Sequence, residues 1–122
     1  MHEIPRPRVV RKLSDYEKAL VRLLIEKQLG KDSEYLLQVE NASVVRQCEC
    51  GCGTVDLSIR GKHPGPPSGS AVLVDGLGVS ANGDQVAVML FAREGLLCSL
   101  EVYSLAGNPG KALPILDSVS VF

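Results

Sequence analysis

Aromatic and histidine side chains are scarce in this sequence. The 122 residues include no tryptophan, three tyrosines, two phenylalanines and two histidines. No apolar run approaches the roughly 20 residues that span a bilayer, and the N-terminal MHEIPRPRVV lacks the apolar stretch of a secretory signal. We therefore expect a core of leucine, valine, isoleucine and alanine, in a cytoplasmic protein whose cysteines stay reduced.

An excess of one charge is missing as well. Thirteen basic and 14 acidic side chains leave a net charge of −1, so the chain lacks the strong positive field of a nucleic-acid-binding domain. Its one basic segment, RPRVVRK at residues 6–12, has no aromatic residue to stack on a base. We expect no nucleic acid and no membrane as partners, and we interpret residues 1–13 as a flexible N-terminal arm.

The segment SDYEKALVRLLIEKQLG, residues 14–30, predicts a helix. Ser14 and Glu17 form a capping box, in which each side chain can bond to the other residue's backbone N–H. Gly30 supplies a left-handed stop. Apolar residues recur with helical spacing: Tyr16, Leu20, Leu23 and Leu24, widened by Val21, Ile25 and Leu29.

Residues 33–41, SEYLLQVEN, favour a second, short helix that begins after Ser33, with a strand as the alternative. From Thr54 the pattern alternates with a period of two at 54–60 and again at 96–105, which predicts strands, and the nearly all-apolar run at 85–93 predicts a central strand covered on both faces. We also expect strands at 43–48 and 71–79 and a last short strand in the tail, and we expect the strand at 54–60 to be half-buried. Asn82-Gly83 predicts a type I′ hairpin turn.

Short loops between the strands favour antiparallel neighbours, because parallel neighbours need long crossovers. A helix with one apolar stripe has to cover a sheet face. The sequence therefore predicts an α+β fold with one or two N-terminal helices packed on a four- to five-stranded antiparallel meander sheet. No repeat or break in composition divides residues 14–122, which we assign to a single domain.

Three of the four cysteines stand at alternate positions in QCECGCGTVDLSIR, residues 47–60. Cys48, Cys50 and Cys52 are candidate zinc ligands, with His63 or the distant Cys98 as a fourth. However, zinc sites usually use cysteines two to four residues apart, and redox pairs usually have the C-x-x-C spacing at a helix N-terminus. We favour a β-hairpin whose cysteines are small apolar strand residues facing the interior, and we expect no cofactor.

Catalytic groups do not converge in the sequence. With so few histidines, a nucleophile–base–carboxylate set has little support. The acids Asp56, Asp75, Asp84 and Glu101 are spread over different strands and turns. These features favour a protein that is not an enzyme.

Three segments resemble a group of small bacterial α+β proteins of unassigned function: CECGCGTVDL (48–57), VAVMLFAREGLL (86–97) and SLEVYSLAG (99–107). The likeness extends over roughly residues 14–115. It implies a bacterial, cytoplasmic protein with a helical region before an antiparallel sheet. It brings no reaction, cofactor or catalytic residue.

Two functions from different classes follow. The first is a non-enzymatic domain that binds another protein, as an immunity protein binds a bacterial toxin. It predicts a surface patch of unpaired acids or exposed apolar residues. The second is a small zinc-binding or metal-sensing protein that uses the C-x-C-x-C segment. Either could also self-associate through an edge strand.

Overall fold

A computed structural model describes residues 9–48, 52–62, 71–107 and 113–122, which form an α+β fold. Its helices are α1 (Asp15–Leu29) and the 3₁₀ helices η1 (Glu34–Asn41) and η2 (Leu116–Ser118). Its strands are β1 (Arg11–Lys12), β2 (Ala42–Gln47), β3 (Val55–Ile59), β4 (Ala71–Val79), β5 (Gln85–Arg93), β6 (Leu96–Ser104) and β7 (Ser120–Val121).

The strands form one antiparallel sheet in the order β1-β2-β3-β6-β5-β4-β7. The antiparallel α+β class is thus confirmed. β5 is an interior strand buried on both faces, as predicted, although β6 is the middle strand of the seven. The predicted number of four to five strands is too low, because the sheet has seven. The short strand predicted in the tail is present as β7, but β1 has only two residues, too few to show a period in the sequence.

The strand order also departs from the predicted simple meander. β4, β5 and β6 follow one another as hairpins, but β3 pairs with β6 instead of β4, through Val55 opposite Leu100 and Asp56 opposite Ser99. The segment at residues 60–70 between β3 and β4 can bridge two intervening strands, since an extended chain advances roughly 3.3 Å per residue. Strand order depends on such distant pairings, which no local pattern reports.

The capping box of α1 is confirmed. Glu17 N–H donates to Ser14 Oγ at 3.1 Å, and Ser14 N–H donates to Glu17 Oε1 at 2.9 Å. Gly30 ends the helix with φ 94° and ψ 165°. Its φ is positive as predicted, but its ψ places it outside the left-handed helical region, in a conformation that is open to glycine.

The second helix is confirmed as η1, a 3₁₀ helix. The Ser33 hydroxyl accepts a hydrogen bond from Tyr35 N–H at 3.3 Å. Two bases of α1 attach to η1 through one acid: Lys18 Nζ lies 3.2 Å from Glu40 Oε2, and Arg22 donates to Glu40 Oε1. The second helix is therefore tied to the first along its side.

Strand β3 is buried on both faces, so the prediction of a half-buried strand is wrong. Asp56 is 9% exposed and Ser58 is 1% exposed, although both are polar. β3 lies inside the sheet between β2 and β6, so neighbouring strands flank its polar positions on both sides. Arg46 of β2, for example, lies opposite Asp56.

The type I′ turn predicted at Asn82-Gly83 is wrong. Gly83 has φ 85°, but Asn82 does not share its positive φ, and the turn closes with Gly83 N–H donating to the Ser80 carbonyl oxygen. This is a type I turn followed by a left-handed glycine, a common three-residue hairpin. Positive φ at two successive residues occurs instead at Glu94-Gly95, between β5 and β6, and at Arg60-Gly61, after β3.

The hydrophobic core lies between α1 and one face of the sheet. On α1 it includes Leu20, Val21, Leu24 and Ile25, all fully buried. Gly76 of β4 lies on this face, where an added Cβ would be 2.7 Å from the Ser120 carbonyl oxygen and 3.6 Å from Leu24 Cδ2. A glycine is required there by space, because the β7 backbone approaches the β4 backbone closely, while Leu24 of the helix lies at ordinary contact distance.

The N-terminal arm predicted for residues 1–13 lies partly outside the described residues, which begin at residue 9. Within its described part, Arg11 and Lys12 form β1 opposite Val44 and Ser43, and Leu13 is only 5% exposed in the core. The folded structure thus extends to the N-terminal side of α1.

Candidate functional site

The hairpin predicted for the cysteine segment is present. β2 ends at Gln47, β3 begins at Val55, and Cys48 N–H donates to the Thr54 carbonyl oxygen at 3.1 Å between them. However, Cys48 is exposed and Cys52 is half-buried, and both lie in the loop. The prediction that these cysteines face the interior from a strand is therefore wrong for these two.

The predicted zinc ligands are only partly placed. Cys50 and His63 lie outside the described residues, and Cys98 is fully buried in β6. Within the described ranges, no three histidine, cysteine or acidic side chains are grouped so that they could hold a metal ion. The structure thus places Cys48 and Cys52 of the predicted set.

These two cysteines line one cleft of about 250 Å³ at the hairpin tip. The loop that carries them is held against β6. Gly53 N–H donates to the Val102 carbonyl oxygen at 3.2 Å, and Val102 N–H donates to Thr54 Oγ1 at 3.0 Å. The hydrogen bonds to β6 fix the backbone that follows Cys52.

Arg11 of β1 also lines this cleft and binds Glu17 of α1 through two hydrogen bonds, at 2.6 and 3.0 Å. Burial alone would raise the pKa of Glu17. The hydrogen bonds from Arg11 and Ser14, together with the charge of Arg11, outweigh that effect, so the pKa lies below its ordinary value. Glu17 is therefore ionised at neutral pH and joins β1 to α1.

The second candidate site is the sheet face opposite α1, which we call the outer face. Side chains alternate between faces along a strand, so the neighbours of the core-facing Val74 and Gly76 point outward. Helices α1, η1 and η2 all contribute to the core on the other face. A bulge between Val72 and Val74 interrupts this alternation, so that Val72 lies opposite Phe91, next to the core-facing Leu90, and shares the outer face. We define the outer patch by six residues of this face: Val72, Asp75, Leu77, Met89, Glu101 and Tyr103.

The strand register arranges the outer patch in rows. Asp75 lies opposite Met89, which in turn lies opposite Glu101. The next row pairs Leu77 with Ala87 and Ala87 with Tyr103. Acidic and apolar side chains therefore alternate across three strands, which places a methionine between two carboxylates.

The apolar members of the outer patch are accessible to solvent. Val72 is 49% exposed and Tyr103 is 40% exposed, while Leu77 and Met89 are half-buried. Methionine adapts its shape to different apolar partners. The outer patch thus presents apolar surface that a partner could bury.

The acids of the sequence do not form a catalytic pair in this arrangement. Asp75 and Glu101 lie on strands separated by β5, about 9–10 Å apart at the backbone, and Asp56 lies opposite Ser99 farther along β6. Neither Asp75 nor Glu101 forms an ion pair with another described residue. They add negative charge to the outer patch.

The sequence reasoning missed the apolar part of this patch. Alternation indicated that residues such as Tyr103 and Glu101 share a face, but it does not indicate which face the helices cover. The exposed Val72 and Tyr103 could have been identified only from the strand order.

Comparisons of the chain with protein-family models, with curated proteins and with solved structures found no match. No known site can therefore be transferred to its residues. No helix in the described part of the chain combines the length and the apolar character needed to cross a bilayer; α1 has 15 residues.

Proposed function

We propose that this protein is a non-enzymatic domain that binds another protein through the outer patch, as an immunity protein binds a bacterial toxin. The observation that carries the proposal is the row Asp75–Met89–Glu101 on the sheet face opposite α1. Exposed apolar side chains lie beside two acids that form no ion pair with another described residue, which fits the surface that such a function requires.

The charge of the outer patch defines the kind of partner. A surface with lysine or arginine around an apolar centre would pair its bases with Asp75 and Glu101 and bury Met89 and Tyr103. An isologous dimer through the same patch would instead bring the acids of two copies together. We therefore propose a different protein as the partner, in a bacterial cytoplasm, as the resemblance implies.

The test is affinity capture with the full chain as bait. Wild-type protein should retain one dominant partner, and the double variant Asp75→Lys/Glu101→Lys should lose it, because two attractive contacts become repulsive. We expect a loss of at least tenfold in affinity, since like-charge contacts in an interface are unfavourable by several kcal/mol. Binding should also weaken as salt is added.

A control variant makes the same charge change elsewhere. Glu26→Lys/Asp32→Lys alters two exposed acids on α1 and the turn that follows it and should retain the partner. If both double variants lose the partner equally, the net charge and not the outer patch is responsible. Retention of the partner by Asp75→Lys/Glu101→Lys would contradict the proposal.

Metal binding is a second candidate function, favoured by one observation. Cys48 and Cys52 line the same cleft, so two of the predicted ligands open onto a common space. Zinc in proteins is usually bound by cysteine thiolates and histidine imidazoles. This candidate and the protein-binding proposal concern different surfaces of the molecule.

Metal analysis of protein purified without chelator tests the second candidate. If the cysteines hold zinc, about one equivalent should survive dialysis and disappear from Cys48→Ser and from Cys50→Ser. The control is Cys98→Ser, which removes the buried thiol of β6 and should leave the zinc content unchanged. Wild-type protein with no retained zinc would eliminate this candidate.

A further inference from the structure

A cleft of about 250 Å³ lies between η1, the end of β3 and the β5–β6 turn. Its apolar lining comes from Leu37, Ile59 and Leu96, and its charged lining comes from Arg60 and Lys62. Leu37 is 76% exposed, more than any other large apolar side chain in the described ranges. The cleft therefore combines exposed apolar surface with two cations.

The walls of the cleft are tied together by hydrogen bonds. Gln38 of η1 donates through Nε2 to the Gly95 carbonyl oxygen at 2.8 Å and accepts from Leu97 N–H at 2.9 Å. On the other side, Arg60 N–H donates to the Asn41 carbonyl oxygen at 3.1 Å. The space between η1 and the two turns is thus part of the folded structure.

Arg60 has an unfavourable backbone conformation for an arginine. Its φ is 52°, and the left-handed region disfavours residues other than glycine, asparagine and aspartate by roughly 1–2 kcal/mol. Glycine or asparagine would suit this turn better. Strained residues of this kind concentrate at ligand sites, so the side chain of Arg60 is a candidate for a functional role.

The positive charge of the cleft is not balanced locally. No acid is among the described residues that line it, and neither Arg60 nor Lys62 forms an ion pair with another described residue. An anion would supply the missing charge. The apolar lining adjoining the cations selects an anion that also has an apolar body.

We propose that this cleft binds an amphipathic carboxylate, a small organic acid whose apolar body contacts Leu37 and Leu96 while Arg60 and Lys62 bind its carboxylate. A guanidinium group matches a carboxylate with two parallel hydrogen bonds. The volume is below the roughly 300–1,000 Å³ typical of pockets for drug-sized ligands, so the acid is short. The cleft shares no residue with the outer patch, and its binding does not depend on the proposed function.

A titration of ¹⁵N-labelled full-length protein tests this site. The probe is 3-phenylpropanoate, compared with 3-phenylpropan-1-ol, 3-phenylpropylamine and acetate. The carboxylate should shift the amide signals of residues 37–41, 60–62 and 95–97 in a saturable way. The alcohol and the amine should bind at least about tenfold more weakly than the carboxylate, because they cannot accept the charged hydrogen bonds from Arg60 and Lys62. Acetate should also bind weakly, because it lacks the apolar body.

Variants separate the two cations from the fold. Arg60→Gly removes the charge while it suits the positive φ, so the protein should stay folded and lose about tenfold in affinity for 3-phenylpropanoate. Lys62→Gln should weaken binding in the same direction, and Leu37→Ser should weaken it without any change of charge. Lys31→Gln, which removes one charge outside the cleft, should bind as wild type does.

Three results would overturn the proposal. One is the absence of a saturable shift with 3-phenylpropanoate at millimolar concentration. Another is equal binding of the alcohol and the carboxylate, or of acetate and the carboxylate, since the site would then not recognise both halves of the ligand. The last is unchanged affinity in Arg60→Gly and Lys62→Gln, whose folded state the same spectra report.

Discussion

Leu24→Ala should lower the free energy of unfolding by about 2–5 kcal/mol. Leu24 is fully buried in α1, and its Cδ2 lies 3.6 Å from the position that a Cβ would take at Gly76 of β4. Alanine removes the side-chain atoms that fill the space between α1 and β4, and the neighbouring backbone cannot collapse fully into it. The loss therefore combines lost burial with a cavity.

Urea unfolding followed by circular dichroism measures this effect. The matched control is Leu29→Ala, the same substitution in the last turn of the same helix, where the side chain is 43% exposed. It should change the free energy of unfolding by less than about 1 kcal/mol, because little buried surface is lost. Equal losses in the two variants would show that Leu24 does not hold the helix on the sheet.

Arg11→Met should lower the free energy of unfolding by about 2 kcal/mol at neutral pH. The change leaves the Glu17 carboxylate, only 9% exposed, without its cation. Breaking a fully buried ion pair lowers the free energy of unfolding by roughly 3–5 kcal/mol. We expect less for Arg11→Met because 32% of the Arg11 side chain is exposed to solvent.

The effect of Arg11→Met should depend on pH in a defined direction. The folded protein holds the pKa of Glu17 below its ordinary value of 4.5. The ionised carboxylate therefore stabilises the fold above pH 4.5, and this contribution is lost as the pH falls through the lowered pKa. The difference in stability between wild type and Arg11→Met should accordingly shrink in acid. A difference that grows below pH 4.5 would contradict the stabilising role of this ion pair.

The control for the ion pair is Arg46→Met. Arg46 Nε lies 3.8 Å from Asp56 Oδ2, and the Arg46 side chain is 75% exposed. Asp56 is buried much as Glu17 is, but Arg46 is largely exposed and makes one long contact, so the loss should be below roughly 1 kcal/mol. If Arg46→Met destabilises the protein as much as Arg11→Met does, the two short hydrogen bonds of Arg11 and its partial burial do not determine the effect.

The candidate sites were harder to anticipate than the fold. The sequence directed attention to the cysteines, of which Cys48 and Cys52 are now placed in a loop. The outer patch and the cationic cleft depend on residues that are far apart in the chain, such as Leu37 with Arg60 and Asp75 with Glu101. Each of these residues taken alone resembles an ordinary surface residue, so spacing could not reveal them.

Local sequence signals were enough for the elements themselves. The Ser14–Glu17 cap, the apolar stripe of α1, the alternation in β3 and β6 and the apolar run of β5 all involve residues a few positions apart, so a local pattern is enough to identify these elements. Local sequence did not show that Glu94-Gly95, and not Asn82-Gly83, has two successive positive φ angles. The register of the flanking strands selects the turn geometry.

Residue spacing thus established an α+β chain with an N-terminal helix and antiparallel strands, since periodicity reports which side chains share a face. The folded arrangement established that β3 adjoins β6, that α1 packs on one sheet face while Asp75 and Glu101 share the opposite face, and that Arg60 and Lys62 line one cleft with Leu37 and Leu96. The reason is physical: these features arise from contacts such as Val55 with Leu100, whose free energy depends on the packing of the whole core.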